Sequence, residues 1–189
     1  MKAVILDASE GKESLEEGIV KTIQNELEKQ GHSVELFRPG EMDILPCRSC
    51  GACGFKSPGV CVQKDDMPKI IRAVANSSLL VLVTPLRYGS YPSHLKKALD
   101  RFMILGLPLY MMKGGHMLHP MRYKAPSILA VGTAKDQAEA ADNALDLTVA
   151  HNAMNLGSPG YKTLVYERSS PLQTIENGIK RALSEVKGQ

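Results

Sequence analysis

Short apolar segments alternate along this chain with amphipathic segments, and that alternation restricts the fold more than any other feature. Residues 79–83 (LLVLV) are apolar throughout, as expected of a central strand buried on both faces. Apolar residues recur every four positions from Leu15 to Leu27, which predicts an amphipathic helix over residues 13–30. Repeated strand–helix alternation predicts a parallel sheet with helices on both faces.

The predicted elements follow one another without repeats or a linker. Strands are predicted at residues 2–6, 33–37, 79–83, 127–131 and 161–166. Helices are predicted at residues 13–30, 67–76, 92–105, 136–154 and 171–186. This order predicts an α/β fold, a flavodoxin-like doubly wound sheet of five parallel strands in the order 2-1-3-4-5. Such sheets bind ligands beyond the carboxyl ends of their strands, where the strand order reverses.

Size and composition exclude several classes of protein. With 189 residues, 43% apolar and 23% charged, the chain matches a single globular domain over residues 1–189 and not a collagen, a coiled coil or a disordered tail. A net charge of +3 is too small to indicate a nucleic-acid partner. No apolar run reaches the roughly 18 residues of a spanning helix, and the first one is too short for a signal peptide. We expect a cytoplasmic protein without a membrane partner.

The four cysteines all lie in one segment, within the loop predicted at residues 46–66. Their spacing is C-x2-C-x2-C-x7-C, and they are Cys47, Cys50, Cys53 and Cys61. Similar runs of three closely spaced cysteines hold iron–sulfur clusters in bacterial ferredoxins. Zinc fits less well, because structural zinc sites usually use two separated pairs. The spacing predicts a metal site with a 4Fe–4S cluster as the leading ligand, and free thiols with a reversible disulfide remain an alternative.

Two loops at the carboxyl ends of the third and fourth strands hold candidate ligand contacts. The first offers backbone donors, an aromatic ring and a guanidinium group, which suit a flat, electron-rich ring. An ordinary strand-to-helix loop is the alternative. The second loop is glycine-containing, and its Asp136 is explained equally well as a helix cap. The candidate residues are Thr84, Pro85, Leu86, Arg87, Tyr88 and Gly89 in the first loop, and Gly132 and Thr133 in the second.

At these two motifs the chain resembles a known family. The segment TPLRYGSYPSHLKKALDRF, residues 84–102, resembles the loop and helix of the NADPH-dependent FMN reductase family, although its tyrosine comes one position later, at Tyr88. The segment PCRSCGACGFKSPGVCVQKDDM, residues 46–67, is similar to the cysteine region of iron–sulfur flavoproteins within that family. The resemblance covers residues 2 to about 165. It implies a flavodoxin-like fold, bound FMN and, in the iron–sulfur branch, a 4Fe–4S cluster on the four cysteines.

The resemblance also places the flavin phosphate in the loop after the first strand, where phosphates are bound by amides, hydroxyls and a helix N-terminus. The candidate phosphate ligands are Ser9, Gly11, Lys12 and Ser14. The same loop carries three acids that would repel a dianion: Asp7, Glu10 and Glu13. At 4 Å and an effective dielectric near 20, one like-charge contact costs about 4 kcal/mol. Either these carboxylates point away from the phosphate or FMN binds weakly.

The function implied is that of an NAD(P)H-dependent FMN reductase-like oxidoreductase, in which NAD(P)H or a ferredoxin-like protein supplies electrons. Relatives in the iron–sulfur branch are usually homodimers or homotetramers. Residues 106–124 show no clear period and are predicted to be an irregular, methionine-rich insertion at a subunit interface. No catalytic side chain is predicted, because the flavin carries the chemistry. The alternative is a non-enzymatic flavodoxin-like scaffold with a degenerate flavin site and a redox- or zinc-sensing cysteine loop.

Overall fold

The computed structural model describes residues 1–11 and 14–187 of the chain. Its strands are β1 (Lys2–Asp7), β2 (Ser33–Phe37), β3 (Leu79–Pro85), β4 (Met111–Lys113), β5 (His116–Leu118), β6 (Ser127–Ala134) and β7 (Tyr161–Glu167). Five of them form one parallel sheet in the order β2-β1-β3-β6-β7, which confirms the predicted order 2-1-3-4-5. The predicted fold class is therefore correct.

Helices cover both faces of this sheet. They are α1 (Leu15–Lys29), α2 (Ala52–Phe55), α3 (Met67–Ala75), α4 (Ser93–Asp100), α5 (Gln137–Ala141), α6 (Ala144–Leu156) and α7 (Leu172–Lys187). Alternate residues of β3 face opposite layers: Leu80 and Leu82 pack with residues of α3, α4 and α6, whereas Val81 and Val83 pack with residues of α1 and α7. Burial on both faces explains why the β3 segment is apolar without alternation.

Two strands extend further than their apolar runs predict. β3 continues to Pro85 and β6 to Ala134, because the parallel register runs on through Thr84 opposite Gly132 and Pro85 opposite Thr133. Predictions based on hydrophobicity end a strand at its first polar residue, but backbone pairing does not depend on side-chain polarity. Four candidate ligand contacts assigned to loops therefore lie in strands.

Two long predicted helices are interrupted. Where one helix is predicted at residues 92–105, α4 ends at Asp100 and a tighter 3-10 turn, Arg101–Leu105, follows it. The helix predicted at residues 136–154 is two helices, α5 and α6. Between them Asp142 is extended, with φ −71° and ψ 133°, and its carboxylate accepts a hydrogen bond from the Ala144 N–H at 2.9 Å. An Asp carboxylate that binds a nearby N–H competes with helix continuation.

The methionine-rich segment at residues 106–124 is not wholly irregular. It contains a hairpin in which β4 and β5 pair antiparallel, with Met112 opposite Met117. Gly114 and Gly115 form the two-residue turn at φ +58° and +81°, the left-handed conformations that a tight hairpin turn favours. Among the helices that the structure describes, none combines the length and apolar content needed to cross a bilayer.

Candidate functional site

The strand order reverses between β1 and β3, and the loops that follow these two strands meet at that point. The guanidinium of Arg87, after β3, forms an ion pair with the carboxylate of Glu10, after β1. Nε2 of His94, at the start of α4, lies 3.2 Å from the carbonyl oxygen of Ala8. The structure therefore brings two of the three predicted ligand loops, those after β1 and β3, together at the edge where doubly wound sheets bind ligands.

The loop after β3 is a tight two-residue turn that presents an aromatic ring. Arg87 and Ser90 exchange two backbone hydrogen bonds, of 2.9 and 3.1 Å. Between them Tyr88 and Gly89 adopt φ +53° and +73°. A tyrosine in this left-handed region is uncommon, and such backbone conformations cluster at functional sites. The ring of Tyr88 is fully exposed, so it is available to a flat ligand.

The loop after β1 leads into the N-terminus of α1. The Ser14 hydroxyl oxygen caps the helix by accepting the Glu17 N–H at 3.3 Å, and the Ser9 N–H donates to Asp7 at 2.9 Å. Gly11 is exposed, with φ +113°. Lys12 and Glu13, one a candidate phosphate ligand and one an acid, lie outside the described residues. N–H groups in the first turn of a helix favour an anion, and phosphate binding at this loop stays a prediction.

Each described acid around this loop has a cationic or hydroxyl partner. The fully buried carboxylate of Asp7 lies 3.0 Å from Nε of Arg38, whose Nη2 lies 2.8 Å from Glu17. Burial lowers the pKa of Arg38, but its contacts with Glu17 and Asp7 outweigh burial and raise that pKa above its ordinary value. Buried Glu16 accepts a hydrogen bond from the Thr133 hydroxyl. The repulsion expected from Asp7 is thus offset by a guanidinium.

The sequence reasoning missed Arg38, although a signal was present. Arg38 follows directly after β2, and in the order 2-1-3 the carboxyl ends of β2 and β1 are neighbours. A cation there is within reach of an acid at the end of β1. The charges within the loop alone do not reveal this partner, because it lies on the neighbouring strand.

The remaining candidate contacts lie in β3 and β6 or directly after β3. Thr84, Leu86 and Thr133 are buried, and the Leu86 N–H donates to the Thr133 carbonyl at 2.9 Å. A Cβ atom on Gly132 would lie 2.7 Å from Leu145, so a larger residue here would force that buried side chain to shift. Contacts between these residues and a ligand stay a prediction. Asp136 caps α5 by accepting the N–H of Glu139 at 2.9 Å, which confirms the helix-cap interpretation.

The second candidate site is the cysteine cavity, a space of about 330 Å³ that all four cysteines line. Left-handed backbone at Ser49 (φ +51°) and Gly51 (φ +69°) bends the chain between Cys47 and the short helix α2, which carries Cys53. Burial, followed by the neighbouring Cys61 and Cys47, raises the pKa of the Cys53 thiol. The four cysteines are free thiols.

The thiols surround the cavity and do not converge on a point. Within residues 1–11 and 14–187, no three His, Cys, Asp or Glu side chains come together as ligands of a single ion. A zinc ion would hold its sulfur ligands about 2.3 Å from one centre. An iron–sulfur cluster is a larger body that is held by thiolates from several sides. Four thiols are the donors that iron–sulfur clusters use, and both ligation and the identity of the group held stay predictions.

Arg101, which lines this cavity, belongs to a buried ion pair that the sequence did not reveal. The guanidinium of Arg101 contacts the carboxylate of Asp65, and their side chains are 4% and 0% exposed. Burial raises the pKa of Asp65, but the hydrogen bonds from Arg101 and from the N–H groups of Leu45 and Met67 outweigh it and hold that pKa below its ordinary value. An Asp–Asp pair that begins four residues after the last cysteine was the available signal.

Asp66 directly precedes α3 as its N-cap residue, but its side chain does not cap the helix. Asp66 makes no side-chain cap hydrogen bond, because its carboxylate accepts the Asp43 N–H at 3.2 Å and pairs with Lys69 at 2.6 Å. The Met67 N–H is bound instead by Asp65, at 3.2 Å. Local sequence does not distinguish two adjacent aspartates whose partners lie elsewhere in the chain.

Comparisons with known proteins agree with this geometry. A family sequence model described as NADPH-dependent FMN reductase matches residues 1–163. An iron–sulfur flavoprotein from Archaeoglobus fulgidus is 33% identical over 106 residues, 56% of this chain and 47% of that protein. One from Methanosarcina thermophila is 27% identical over 89 residues, 47% of this chain and 46% of that protein. The chain spans about half the length of these curated relatives.

Solved structures share the fold across the whole sheet. An FMN-dependent NADH-azoreductase from Bacillus anthracis, in complex with FMN, has a TM-score of 0.71 at 13% identity, covering 97% of this chain and 98% of that chain. An NAD(P)H:quinone oxidoreductase from Methanothermobacter marburgensis has a TM-score of 0.70 at 14% identity, covering 96% and 94%. Because the family match runs from β1 into β7, the last strand of the sheet, the chain belongs to the NADPH-dependent FMN reductase family.

Proposed function

We propose that the chain is an NAD(P)H-dependent oxidoreductase that binds FMN where the loops after β1 and β3 meet. The observation that carries this proposal is the Arg87–Glu10 ion pair, which joins the two loops at the strand-order reversal of a family member. The ring contacts proposed are Thr84, Pro85, Leu86, Arg87, Tyr88, Gly89, Gly132 and Thr133. The phosphate contacts proposed are Ser9, Gly11, Lys12 and Ser14.

FMN supplies the hydride and electron chemistry when it is bound, so the chain needs no side-chain acid or nucleophile. Its own residues bind and orient the cofactor. The exposed ring of Tyr88 offers a face to the flavin. Backbone N–H groups of the tight turn favour negative charge on the ring edge, as preorganised donors do. The N-terminus of α1 favours the phosphate.

The second part of the proposal is a 4Fe–4S cluster held by Cys47, Cys50, Cys53 and Cys61. Four free thiols around one cavity support it, as do similar proteins that are named iron–sulfur flavoproteins. A cluster transfers single electrons, whereas NAD(P)H delivers a hydride. Both NAD(P)H and a ferredoxin-like protein are candidate electron donors.

Anaerobic purification followed by a visible spectrum and assays of iron, acid-labile sulfide and FMN tests both parts. We expect one FMN and about four irons per chain, with four thiolates per cluster. Cys50→Ser should lose iron and keep FMN. Lys56→Ala, at an exposed position of the same loop, is the matched control and should keep both. NADH, NADPH and a reduced ferredoxin are then compared as donors by the rate of flavin reduction.

Each of the other possible results would support a different function for this chain. FMN without iron would leave a flavin reductase with four plain thiols. Iron without FMN, even with excess FMN added, would remove the reductase proposal. Neither group would leave the non-enzymatic scaffold with a sensing cysteine loop.

We further propose a homodimer or homotetramer that uses the β4–β5 hairpin. Tyr110, Met112 and Met117 are 69%, 69% and 67% exposed, and apolar patches of this kind mark protein contacts. Light scattering of Met112→Glu/Met117→Glu should show smaller particles than the wild type. Lys113→Glu, on the same hairpin, is the control for charge. Unchanged mass in the double variant would place any interface elsewhere.

We also propose that the chain forms a single domain and that it works in the cytoplasm. The cysteine loop at residues 46–66 and the segment at residues 106–124 are then two elaborations of one flavodoxin-like domain. Four free thiols at one cavity are preserved in a reducing compartment. Limited proteolysis of the purified protein should cut within these two segments before it cuts the sheet.

A further inference from the structure

The ion pair of Arg101 and Asp65 lies beside the cysteine cavity, and both side chains are buried. Burying two charged groups is unfavourable because they lose their hydration. Removing two charges from solvent costs several kcal/mol per ion unless further hydrogen bonds compensate. Arg101 begins the 3-10 turn that follows α4, and Asp65 comes four residues after Cys61. Neither residue is used by the flavin site described above.

The hydrogen bonds of this pair hold both ends of the cysteine loop. The Asp65 carboxylate accepts the Leu45 N–H at 3.0 Å, and Nη1 of Arg101 donates to the Leu45 carbonyl at 3.2 Å. Leu45 precedes Cys47 by two residues. One ion pair therefore fixes the chain before the first cysteine and after the last.

Arg101 also borders the cavity that the cysteines surround. Burial lowers the pKa of its guanidinium, but the contacts with Asp65 and with the Cys61 thiol outweigh burial and raise that pKa. Arg48 and Arg72 line the same cavity, but both are exposed. Among the arginines that line this cavity, Arg101 is the one held in the protein interior.

Resting on the proposed cluster, we infer that Arg101 is a positioning residue whose buried positive charge, at the wall of the cysteine cavity, raises the reduction potential of the group that the cysteines hold. One-electron reduction adds one negative charge to that group, and the electron comes from the reduced flavin in the protein or from dithionite in a titration. A fixed positive charge beside the group stabilises its reduced form, which carries the additional negative charge. Asp65 holds the guanidinium in place and, as an anion, opposes part of this effect.

The test is an anaerobic dithionite titration of reconstituted protein, followed by electron paramagnetic resonance, with iron and sulfide assayed in every sample. We expect Arg101→Lys to lower the midpoint potential and Arg101→Met to lower it further. Asp65→Asn, which keeps the guanidinium, should raise it. Arg72→Met removes an exposed charge from the same cavity and should leave the potential nearly unchanged, because solvent screens exposed charges.

Opposite changes of the midpoint potential in the Arg101 and Asp65 variants would indicate electrostatic tuning. A purely structural role would instead change the potential of both variants in the same direction, or make both variants lose their iron. If Arg101→Met does not fold, Arg101→Lys and Asp65→Asn still show whether the two substitutions change the midpoint potential in opposite directions. Equal potentials at full iron content would overturn this inference and leave the proposed cluster intact. A wild-type protein that takes up neither iron nor sulfide would overturn the cluster and this inference together.

Discussion

Nε of Arg38 lies 3.0 Å from a carboxylate oxygen of Asp7, whose side chain is fully buried. The same guanidinium lies 2.8 Å from Glu17 in α1, so one side chain links the ends of β2 and β1 to the first helix. This contact makes an acidic loop compatible with an anionic ligand, because the buried negative charge is already paired.

Arg38→Met should lower the free energy of unfolding by about 3 kcal/mol, the lower end of the range for removing one partner of a buried ion pair. Urea denaturation measures this change. Lys21→Met is the matched control, since Lys21 pairs with Glu17 at 3.8 Å while exposed, and exposed pairs contribute about 0–1 kcal/mol. Adding Asp7→Asn to Arg38→Met should restore part of the loss. Equal effects of the Arg38 and Lys21 variants would contradict the prediction.

Glu10→Gln should strengthen FMN binding by about tenfold, equivalent to about 1.4 kcal/mol. The substitution removes a negative charge from the phosphate loop and frees Arg87 from its ion pair. Fluorescence titration with FMN and riboflavin is the measurement, because riboflavin lacks the phosphate. Riboflavin affinity should not change, and high salt should reduce the gain for FMN. Equal gains for both ligands would place the phosphate elsewhere.

Tyr88→Gly should weaken FMN binding about tenfold while changing the free energy of unfolding by less than about 1 kcal/mol. Glycine relieves the cost of φ +53°, but its greater freedom in the unfolded chain offsets that gain. The loss in affinity is that of one aromatic contact, about 0.5–1.5 kcal/mol. Tyr161→Ala, at the amino end of β7, is the control and should bind FMN normally. Normal FMN binding by Tyr88→Gly would remove this ring from the site.

Gly132→Ala should lower the free energy of unfolding by about 1–3 kcal/mol, the usual cost of overpacking a core. Its added methyl would lie 2.7 Å from Leu145 and 3.0 Å from Leu86. Gly18→Ala is the control, because a methyl there meets no atom within 4 Å and alanine favours the helix. Thermal unfolding should therefore show opposite shifts in melting temperature. A stabilised Gly132→Ala would mean that the core relaxes around the methyl.

Alkylation of Cys53 in the metal-free, reduced protein should require a higher pH in the folded than in the unfolded state. Burial and the neighbouring Cys61 and Cys47 raise the pKa of Cys53, so less thiolate is present at a given pH. Iodoacetamide rates against pH, followed by peptide mass spectrometry, give the midpoint with and without urea. Cys61→Ser should lower the pH midpoint of Cys53 alkylation in the folded protein. Coincident midpoints in the two states would show that the site does not perturb this thiol.

The alternation of strand and helix patterns was sufficient to predict the order of the strands in the sheet. It was not sufficient to predict the residues at which the strands end. The apolar run of β3 stops at Val83, yet pairing with β6 continues through Thr84 and Pro85. Hydrophobicity reports the burial of side chains, whereas strand length depends on the register with a neighbour. Asp142 interrupts a predicted helix for a similar reason, since its carboxylate binds a backbone N–H.

The sequence by itself determined the α/β topology, the positions of the three candidate ligand loops and the grouping of the four cysteines, because these depend on the order of segments and on residue spacing along the chain. Only the tertiary structure decided which charges are neutralised. Arg38 reaches Asp7 because β2 and β1 are neighbours in the sheet, and Arg101 reaches Asp65 because the turn after α4 lies against the cysteine loop. The cost of a buried charge depends on its partner, and these partners are 31 and 36 residues away along the chain.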